Sequence, residues 1–445
     1  MLIIILLILS VLFIILSTTK FQLHPFLALL FAAIGFGLFS GMPLSEIVQS
    51  INDGFGKTLG FIGIVIILGT IIGTFLENSG GAYAMAEKML KIIGQKMVPL
   101  TMAIIGYIVS IPVFADSGFV ILSPLNKALS KRAGISLAGS TVALAVGLTA
   151  SHTMVPPTPG PIAAAGIIEA DLGMVIMFGI PISILSVAVG WLFAKKIASK
   201  TYIDPNPELS EEAIFEKLKN APSPFKAFIP ILLPIVLIIL KSVSDLPSKP
   251  FGEESLFEIM NFVGNPVIAL LIGVLLSFSL PKKFDKQLLS TSGWVGKGLM
   301  DAAIIIMITG AGGAFGKVLQ NSGIAGLLGD SLASANLGIW LPFVIAAALK
   351  SSQGSSTVAL ITAASIVAPL TGALGFDTPM DKALLVLAIG AGSAVVSHVN
   401  DSFFWVVTQM TGMDVKQGYK LHSAGTGVLG ITAAILIWIT SLVMM

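Results

Sequence analysis

Five ionisable side chains lie inside long apolar stretches of the sequence, where a charge is costly. They are Asp116, His152, Lys350, His398 and Asp401. A charged side chain at the centre of a bilayer costs at least about 2.5–3.5 kcal/mol, so such residues typically mark the path of a substrate or an ion. A lysine can hold an anion, and carboxyl and imidazole groups can exchange protons. The two aspartates and the two histidines are therefore the candidate coupling residues.

Small polar residues and glycine surround these positions and interrupt the apolar runs. Backbone left unpaired at membrane depth is tolerated only where it is buried in protein or lines a wet cavity. Helices that begin at such breaks also direct N–H groups towards an anion. We therefore predict one shared polar cavity that binds a small anion. Its predicted lining is Asp116, Ser117, Gly118, Ser151, His152, Thr153, Thr158, Lys350, Gln353, Gly354, Ser355, Ser356, Thr357, His398, Asn400 and Asp401.

Structural roles compete with binding at these positions. An isolated Gly or Ser can simply permit close helix packing. Asp116 could instead cap a helix or form an ion pair with Lys350. A lone histidine is more often a satisfied core residue, but His152 and His398 each follow a serine at matched places in the two halves of the chain. His422 falls near the end of a span and is assigned no role.

Membrane-spanning helices are the elements that must hold these residues. The chain of 445 residues is 55% hydrophobic and only 11% charged, and its mean hydropathy is +0.97. Soluble domains carry about a quarter charged residues, whereas each helix that crosses a bilayer needs about 20 apolar residues. Continuous spans are predicted at 2–18, 24–40, 58–77, 174–194, 225–243, 262–280, 299–320 and 424–443. The predicted fold is an all-α polytopic membrane protein of about ten spans, two re-entrant hairpins and two broken helices.

The two halves of the chain match each other in order, which indicates a duplication. The matches are His24-Pro25 with Asn265-Pro266, Ser50–Gly73 with Ser290–Gly313, Glu77–Gly80 with Gln320–Gly323, and Ser151-His152 with Ser397-His398. An odd number of crossings separates equivalent points, so the repeats are predicted to be inverted. Broken helices at matched places of inverted repeats are typical of a secondary transporter with a site at the midplane.

This assignment of membrane crossings predicts a domain organisation and an orientation. We expect an N-terminal span at 1–23, repeat 1 at 24–200 with a hairpin at 97–130 and a broken helix at 136–170, a linker with one span at 201–261, and repeat 2 at 262–445 with a hairpin at 338–371 and a broken helix at 381–412. Most of the 25 Lys and Arg residues then fall on one side, which the positive-inside rule makes cytoplasmic. The residues placed outside are Lys57, Lys241, Lys249, Lys317 and Lys382.

Several classes of function are disfavoured by composition. The chain has no cysteine, four histidines and a net charge of +2, so we expect no metal, no cofactor and no nucleic-acid partner. An aspartyl enzyme would need a Gly-x-Gly-Asp setting, which neither Asp116 nor Asp401 has. A passive channel stays open as an alternative to a carrier, and accumulation against a gradient would separate the two.

Four motifs resemble the gluconate permease family of the ion transporter superfamily, and the resemblance covers essentially the whole chain. The motifs are His24-Pro25-Phe26-Leu27-Ala28-Leu29, Pro156-Pro157-Thr158-Pro159-Gly160-Pro161, Gln353-Gly354-Ser355-Ser356-Thr357-Val358 and His398-Val399-Asn400-Asp401-Ser402-Phe403-Phe404-Trp405. The resemblance implies proton-coupled uptake of gluconate or a related acid, including glycerate, fructuronate and D-serine. It also implies a multi-pass homodimer in the bacterial inner membrane, surrounded by lipid, with an elevator mechanism.

The sequence departs from the sugar-acid members of that family at three places. They usually have Glu-Val-Gly where Asp116-Ser117-Gly118 stands, often His where Thr158 stands, and in many cases Arg where Lys350 stands. A lysine cannot form the bidentate clamp that an arginine forms with a carboxylate. The resemblance favours a proton as the coupling ion. A sodium carrier would instead use neutral oxygens, for which the candidates are Ser117, Thr153, Ser355 and Asn400.

Overall fold

The computed structural model of the chain describes residues 2–94, 97–205, 221–245, 255–323, 337–399 and 401–444. Every regular element in these ranges is helical, as the sequence predicts. The α-helices are α1 (Leu2–Thr19), α2 (Pro25–Phe39), α3 (Leu44–Asn78), α4 (Gly81–Ile93), α5 (Val98–Val109), α6 (Ala115–Arg132), α7 (Leu137–Met154), α8 (Pro159–Ile168), α9 (Leu172–Lys196), α10 (Pro224–Ser244), α11 (Ser255–Val263), α12 (Pro266–Ser277), α13 (Trp294–Asn321), α14 (Trp340–Gln353), α15 (Ser356–Val367), α16 (Pro379–Ala394), α17 (Ser402–Thr411), α18 (Val415–Gly418) and α19 (Ala424–Met444). A π-helical turn, Tyr419–Ser423, joins the last two.

Two predicted spans differ from the observed helices. Helix α3 begins at Leu44 rather than near residue 58, and it bends by 46° between Phe61 and Gly63. Its 35 residues would extend about 52 Å if straight, which exceeds the thickness of a bilayer core. The predicted span at 262–280 contains the shorter helix α12, which α11 precedes at an angle of 63°. Within the described ranges, five helices are long and apolar enough to cross a membrane, or seven if each bent pair counts once. The total of about ten spans stays a prediction.

The start of α12 has the same local structure as the start of α2, in line with the sequence match between them. Asn265 and His24 each precede a proline and cap the helix that follows. Asn265 Oδ1 accepts the Val267 N–H at 3.0 Å, and His24 Nδ1 accepts the Phe26 N–H at 3.3 Å. A proline at the first helical position loses no hydrogen bond, because its missing N–H would have no partner in the helix.

All four predicted interruptions occur as breaks between helices. They separate α5 from α6, α7 from α8, α14 from α15, and α16 from α17. Pro156 and Pro157 cannot continue α7, because a proline lacks the N–H of the helix and its ring clashes with the preceding turn. Gly354 ends α14 with φ of +84°, a conformation that glycine adopts without strain.

The broken helices form the centre of the molecule. Every residue of α7 and α8 is buried, and α15 and α16 are buried over most of their length. Helix α7 packs against α5 and α9, and α16 packs in the same way against α14 and α19. Large apolar side chains such as Phe13, Phe31 and Phe39 are instead exposed on α1 and α2, as expected for a surface that faces lipid or another subunit.

Helices α3 and α13 run antiparallel and pack tightly along their length. Near the start of α3, the Ser50 hydroxyl accepts a hydrogen bond from the Asn321 side-chain amide at 2.8 Å, at the end of α13. At the opposite end, Lys297 Nζ lies 4.0 Å from Glu77 Oε1. The contact is close because glycines lie at it: a Cβ atom added to Gly54 would lie 2.4 Å from the Gly313 carbonyl oxygen.

Two further glycines of α3 face the breaks in the first half of the chain. A Cβ atom on Gly69 would lie 2.9 Å from the carbonyl oxygen of Pro157, in the break between α7 and α8. A Cβ atom on Gly73 would lie 2.1 Å from the carbonyl oxygen of Pro112, in the break between α5 and α6. Side chains larger than hydrogen therefore do not fit at these two positions without a shift of the breaks.

Candidate functional site

A buried ion pair joins the two breaks of the second half. Lys350, in the last turn of α14, places Nζ 2.5 Å from Asp401 Oδ2, and the two side chains are only 3% and 5% exposed. Lys350 Nζ also donates to the carbonyl oxygen of Gly354. Both charges are therefore out of contact with bulk solvent and satisfied by each other and by the break. Removing one partner of such a pair typically costs about 3–5 kcal/mol, because the other charge is left buried and uncompensated.

The carboxylate of Asp401 also accepts hydrogen bonds from residues of the break between α16 and α17, where it lies. Its Oδ1 accepts the Phe403 N–H at 3.1 Å and so caps α17, while its Oδ2 accepts the Ser397 hydroxyl at 2.5 Å. The same hydroxyl oxygen lies 3.0 Å from His422 Nε2. His422 is 1% exposed, so this residue, to which the sequence analysis assigned no role, lies inside the network of the ion pair. The repeat gave no signal for it, since Ile176 stands at the matching place of the first half, by the offset of the two Ser-His pairs.

His152 connects the breaks in the first half of the chain with a break in the second half. The residue is buried in the last turn of α7, and its Nε2 lies 3.5 Å from Thr357 Oγ1 of α15. Its ring centroid is 6.0 Å from that of Phe114, which precedes α6. The Nδ1 atom has no hydrogen-bond partner in the described part of the chain. Lys350 and Asp401 are close enough to act on it electrostatically.

Asp116 lies beside the ion pair but does not form it. The ion pair between Asp116 and Lys350, which was the structural alternative for this residue, is therefore wrong: Lys350 is engaged by Asp401. Asp116 is partly exposed in the first turn of α6, and Ser402 Oγ lies 3.4 Å from its Oδ1, beyond the usual O–H···O distance. Lys350 and Asp401 both act on it electrostatically.

The other predicted residues divide into two groups. Three hydroxyls are directed to backbone carbonyls of their own broken helix: Ser151 Oγ to Gly147 at 3.5 Å, Thr153 Oγ1 to Thr149 at 2.9 Å and Thr158 Oγ1 to Val155 at 2.6 Å. Gly118 packs against Leu148, and His398 Nε2 is hydrogen-bonded to the Ser351 carbonyl at 2.7 Å. These five residues therefore contact other parts of the protein in this structure.

The remaining predicted residues lie at the breaks. Ser355 Oγ accepts the Val358 N–H at 3.3 Å and caps α15. Ser117 is partly exposed at the start of α6, as are Ser356 and Thr357 at the start of α15. Gln353 and Gly354 end α14. Asn400 is outside the described residues.

Three helix starts border the ion pair. Helix α6 begins at Ala115, α15 at Ser356 and α17 at Ser402, and each lies within a few residues of Asp116, Lys350 or Asp401. The N-terminal end of a helix carries a partial positive charge and unpaired N–H groups, so together these ends favour an anion. Within the described residues, no group of three His, Asp or Glu side chains could hold a metal ion.

The helical fold, with polar breaks and a buried ion pair among apolar helices, belongs to the class of polytopic membrane transporters. A solved structure, the YdaH transporter of Alcanivorax borkumensis, has the same fold with a TM-score of 0.67 at 14% identity, and the match covers 94% of this chain and 99% of that one. The family model of GntP family permeases matches residues 1–443. The chain belongs to the GntP permease family, which confirms the resemblance found in its motifs.

Relatives with names in this family cover nearly the whole chain. A gluconate permease of Pseudomonas aeruginosa is 36% identical and covers 96% of this chain and 94% of its own length. A D-serine transporter of Escherichia coli is 32% identical over 96% of this chain and 95% of its own. An inner membrane permease of Escherichia coli is 34% identical over 96% of both chains. The protein is accordingly a multi-pass transporter of the bacterial inner membrane and not an enzyme.

Proposed function

We propose that the protein is a proton-coupled symporter for a small organic acid, either gluconate or a related hydroxy acid. The relatives that carry a substrate in their names are gluconate permeases and D-serine transporters. The observation that carries the proposal is the Lys350–Asp401 pair, because it places one buried cation where three helix starts favour an anion. A carboxylate that reaches Lys350 must replace Asp401.

This replacement couples the substrate to a proton. When the substrate carboxylate takes Lys350, the Asp401 carboxylate stays buried without its partner, at a cost of about 3–5 kcal/mol. A proton that binds Asp401 removes this charge. Binding of the substrate carboxylate without the proton, or of the proton without the carboxylate, leaves a buried charge without its partner and is costly. One proton therefore accompanies each carboxylate. The structure thus favours Asp401 over Asp116 as the principal coupling residue, with His152 beside the pair and His398 at its edge.

In this proposal, inverted repeats give the site two entrances that open alternately. The antiparallel arrangement of α3 and α13, two helices that match in sequence, supports an inverted repeat: Ser50 lies against Asn321, and Glu77 lies against Lys297. Equivalent contacts also recur between the two halves: α6 contacts α17, and the helices that match them, α15 and α8, contact each other. Helices α8 and α15 also pack against α13. In the proposed elevator cycle of a homodimer, α3 and α13 stay in place while the broken helices move past them.

Transport in liposomes tests the proposal. The purified protein is reconstituted in sodium-free vesicles with an alkaline interior, and uptake of labelled gluconate, glycerate and fructuronate is followed. Accumulation above equilibrium, driven by the pH gradient alone, is expected for at least one acid. Uptake that requires sodium and ignores the pH gradient would contradict proton coupling. Uptake that only equilibrates would contradict symport and indicate a passive pathway, either a channel or an uncoupled carrier.

A neutral amino acid such as D-serine is the second candidate. Asp116 is a partly exposed carboxylate that acts electrostatically on the same site as Lys350, so it can hold an ammonium group while Lys350 holds a carboxylate. Identity does not separate the two substrates, since the D-serine transporter and a low-affinity gluconate transporter are both 32% identical to the chain. Asp116→Asn distinguishes them: it should weaken D-serine uptake and leave gluconate uptake nearly unchanged.

A further inference from the structure

His422, Ser397, Asp401 and Lys350 form one continuous hydrogen-bonded chain. The distances along it are 3.0 Å from His422 Nε2 to Ser397 Oγ, 2.5 Å from Ser397 Oγ to Asp401 Oδ2, and 2.5 Å from there to Lys350 Nζ. The two end side chains and the aspartate are each at most 5% exposed. The chain connects the proposed substrate cation to a histidine on another element.

The direction of the hydrogen bonds fixes the tautomer of His422. An ionised aspartate can only accept, so the single hydroxyl hydrogen of Ser397 is donated to Asp401. Ser397 Oγ must then accept from His422, which requires the hydrogen of the neutral ring to be on Nε2. Nδ1 is left with a lone pair, and this atom is buried with no partner among the residues that the structure describes. A proton that arrives there finds a vacant acceptor at the end of an ordered chain.

Ser397 is held next to His422 by residues that follow the histidine in the chain. Its N–H donates to Thr426 Oγ1 at 3.1 Å, and its carbonyl accepts from the Ser423 hydroxyl. His422 lies in the π-helical turn Tyr419–Ser423, a distortion found frequently at functional sites. Asp401 and Lys350 are the charged groups that act on its ring, which also packs against Phe403 and Phe404 with centroids 5.3 and 6.1 Å away. His398 and Tyr419 stack beside this cluster.

We infer that His422 relays the coupling proton to and from Asp401 through Ser397. A proton binds His422 Nδ1, the Nε2 hydrogen passes to Ser397 Oγ, and the Ser397 hydrogen passes to Asp401 Oδ2. Asp401 becomes neutral, Ser397 keeps one hydrogen, and His422 is neutral with its hydrogen on Nδ1. The reverse sequence releases the proton. The segment of Lys416 and Lys420 leads to His422, so the relay exchanges protons with the side that the positive-inside rule makes cytoplasmic.

The relay rests on the proposed function, and its test separates the two. His422→Gln keeps an N–H for Ser397 but cannot pass a proton, and Ser397→Ala breaks the chain without a change to the histidine. In both variants, the rate of pH-driven gluconate uptake should fall by about a hundredfold, while exchange of gluconate across the membrane at equal pH persists. Ser397→Thr keeps the hydroxyl and should restore uptake. His24→Gln, the same substitution at the cap of α2, should behave as the wild type.

The tautomer of His422 can be measured without a substrate, so the relay can be tested whatever acid the protein carries. The chain has four histidines, so nitrogen NMR of histidine-labelled protein, with His422→Gln for assignment, reports the tautomer of this ring. Hydrogen on Nε2 is expected in the resting protein. Hydrogen on Nδ1, or pH-driven uptake that survives both relay variants, would overturn the relay. A wild type that exchanges none of the acids would count against the proposed function, while the tautomer would still decide the relay.

Discussion

Asp401→Asn should turn the coupled site into a simple anion site. In the wild-type protein, a substrate carboxylate must separate Lys350 from Asp401, and the low exposure of both side chains, 3% and 5%, means that water compensates neither charge. Separation of such a pair costs about 3–5 kcal/mol. In the variant, the lysine has no carboxylate partner, so an incoming anion supplies the missing charge and separates nothing.

The affinity gain follows from that difference. If only about 1.4 kcal/mol of the separation cost is recovered, the dissociation constant for an organic anion falls tenfold. The wild type should bind more weakly as the pH rises, because binding takes up a proton at Asp401. Asp401→Asn should lose this dependence, since its amide takes up none. Exchange should persist in the variant, and pH-driven accumulation should disappear.

Titration calorimetry with gluconate at several pH values measures both effects, with Asp116→Asn as the matched variant. Asp116 is a nearby carboxylate that is not paired with Lys350, so its amide should keep the pH dependence of binding. Binding by Asp401→Asn that is no tighter than that of the wild type and keeps its pH dependence would contradict the coupling role of Asp401. Loss of accumulation in Asp116→Asn with normal coupling in Asp401→Asn would move the coupling role to Asp116.

Three further predictions concern charge, orientation and motion. Lys350→Met should weaken binding of an acidic substrate by more than about tenfold, and Lys350→Arg should be milder because the charge is kept; equal affinity in the Met variant would leave the helix starts as the whole anion site. In this cysteine-free chain, a cysteine at Lys420 should be labelled only from the cytoplasm and one at Lys382 only from outside, and the reverse pattern would refute the inverted threading. Lys57 of α3 lies 2.5 Å from Glu169, the residue after α8, so a short thiol cross-linker between cysteines at these positions should stop transport until it is cleaved. Full activity of the cross-linked protein would exclude motion of α8 past α3.

The breaks could be predicted from the sequence because they depend on local chemistry. Adjacent prolines such as Pro156-Pro157 disfavour a helix, and Gly354 ends α14 with a positive φ that glycine adopts without strain. Single residues of these types, such as Pro124 in α6 and Gly54 in α3, also lie inside helices. The extension of α3 to Leu44 was missed, because polar residues such as Ser50 lie in it and a search for apolar runs ends there. Ser50 is in fact buried against α13, so tertiary packing stabilises the additional turns.

The partner of Lys350 could not be predicted, since the sequence does not give the distance from Lys350 to either aspartate. Asp116 and Asp401 are both carboxylates next to a break, and only the packing of α14 against the later break brings one of them within 2.5 Å. His422 illustrates the same limit. It lies 21 residues after Asp401 in the numbering, in no motif, and its contact with Ser397 arises only because the start of α19 folds back over that break.

Gly69 and Gly73 are four residues apart, so they lie one above the other on a single face of α3. The carbonyl oxygens of Pro157 and Pro112 rest on that face. If the breaks slide along α3, these two oxygens move over the surface between Gly69 and Gly73. This surface is about 6 Å long, close to one helical turn. A methyl group at Gly69 or Gly73 would shift the break next to it, so it would change both the turnover number and the Kd of the site although it contacts no substrate.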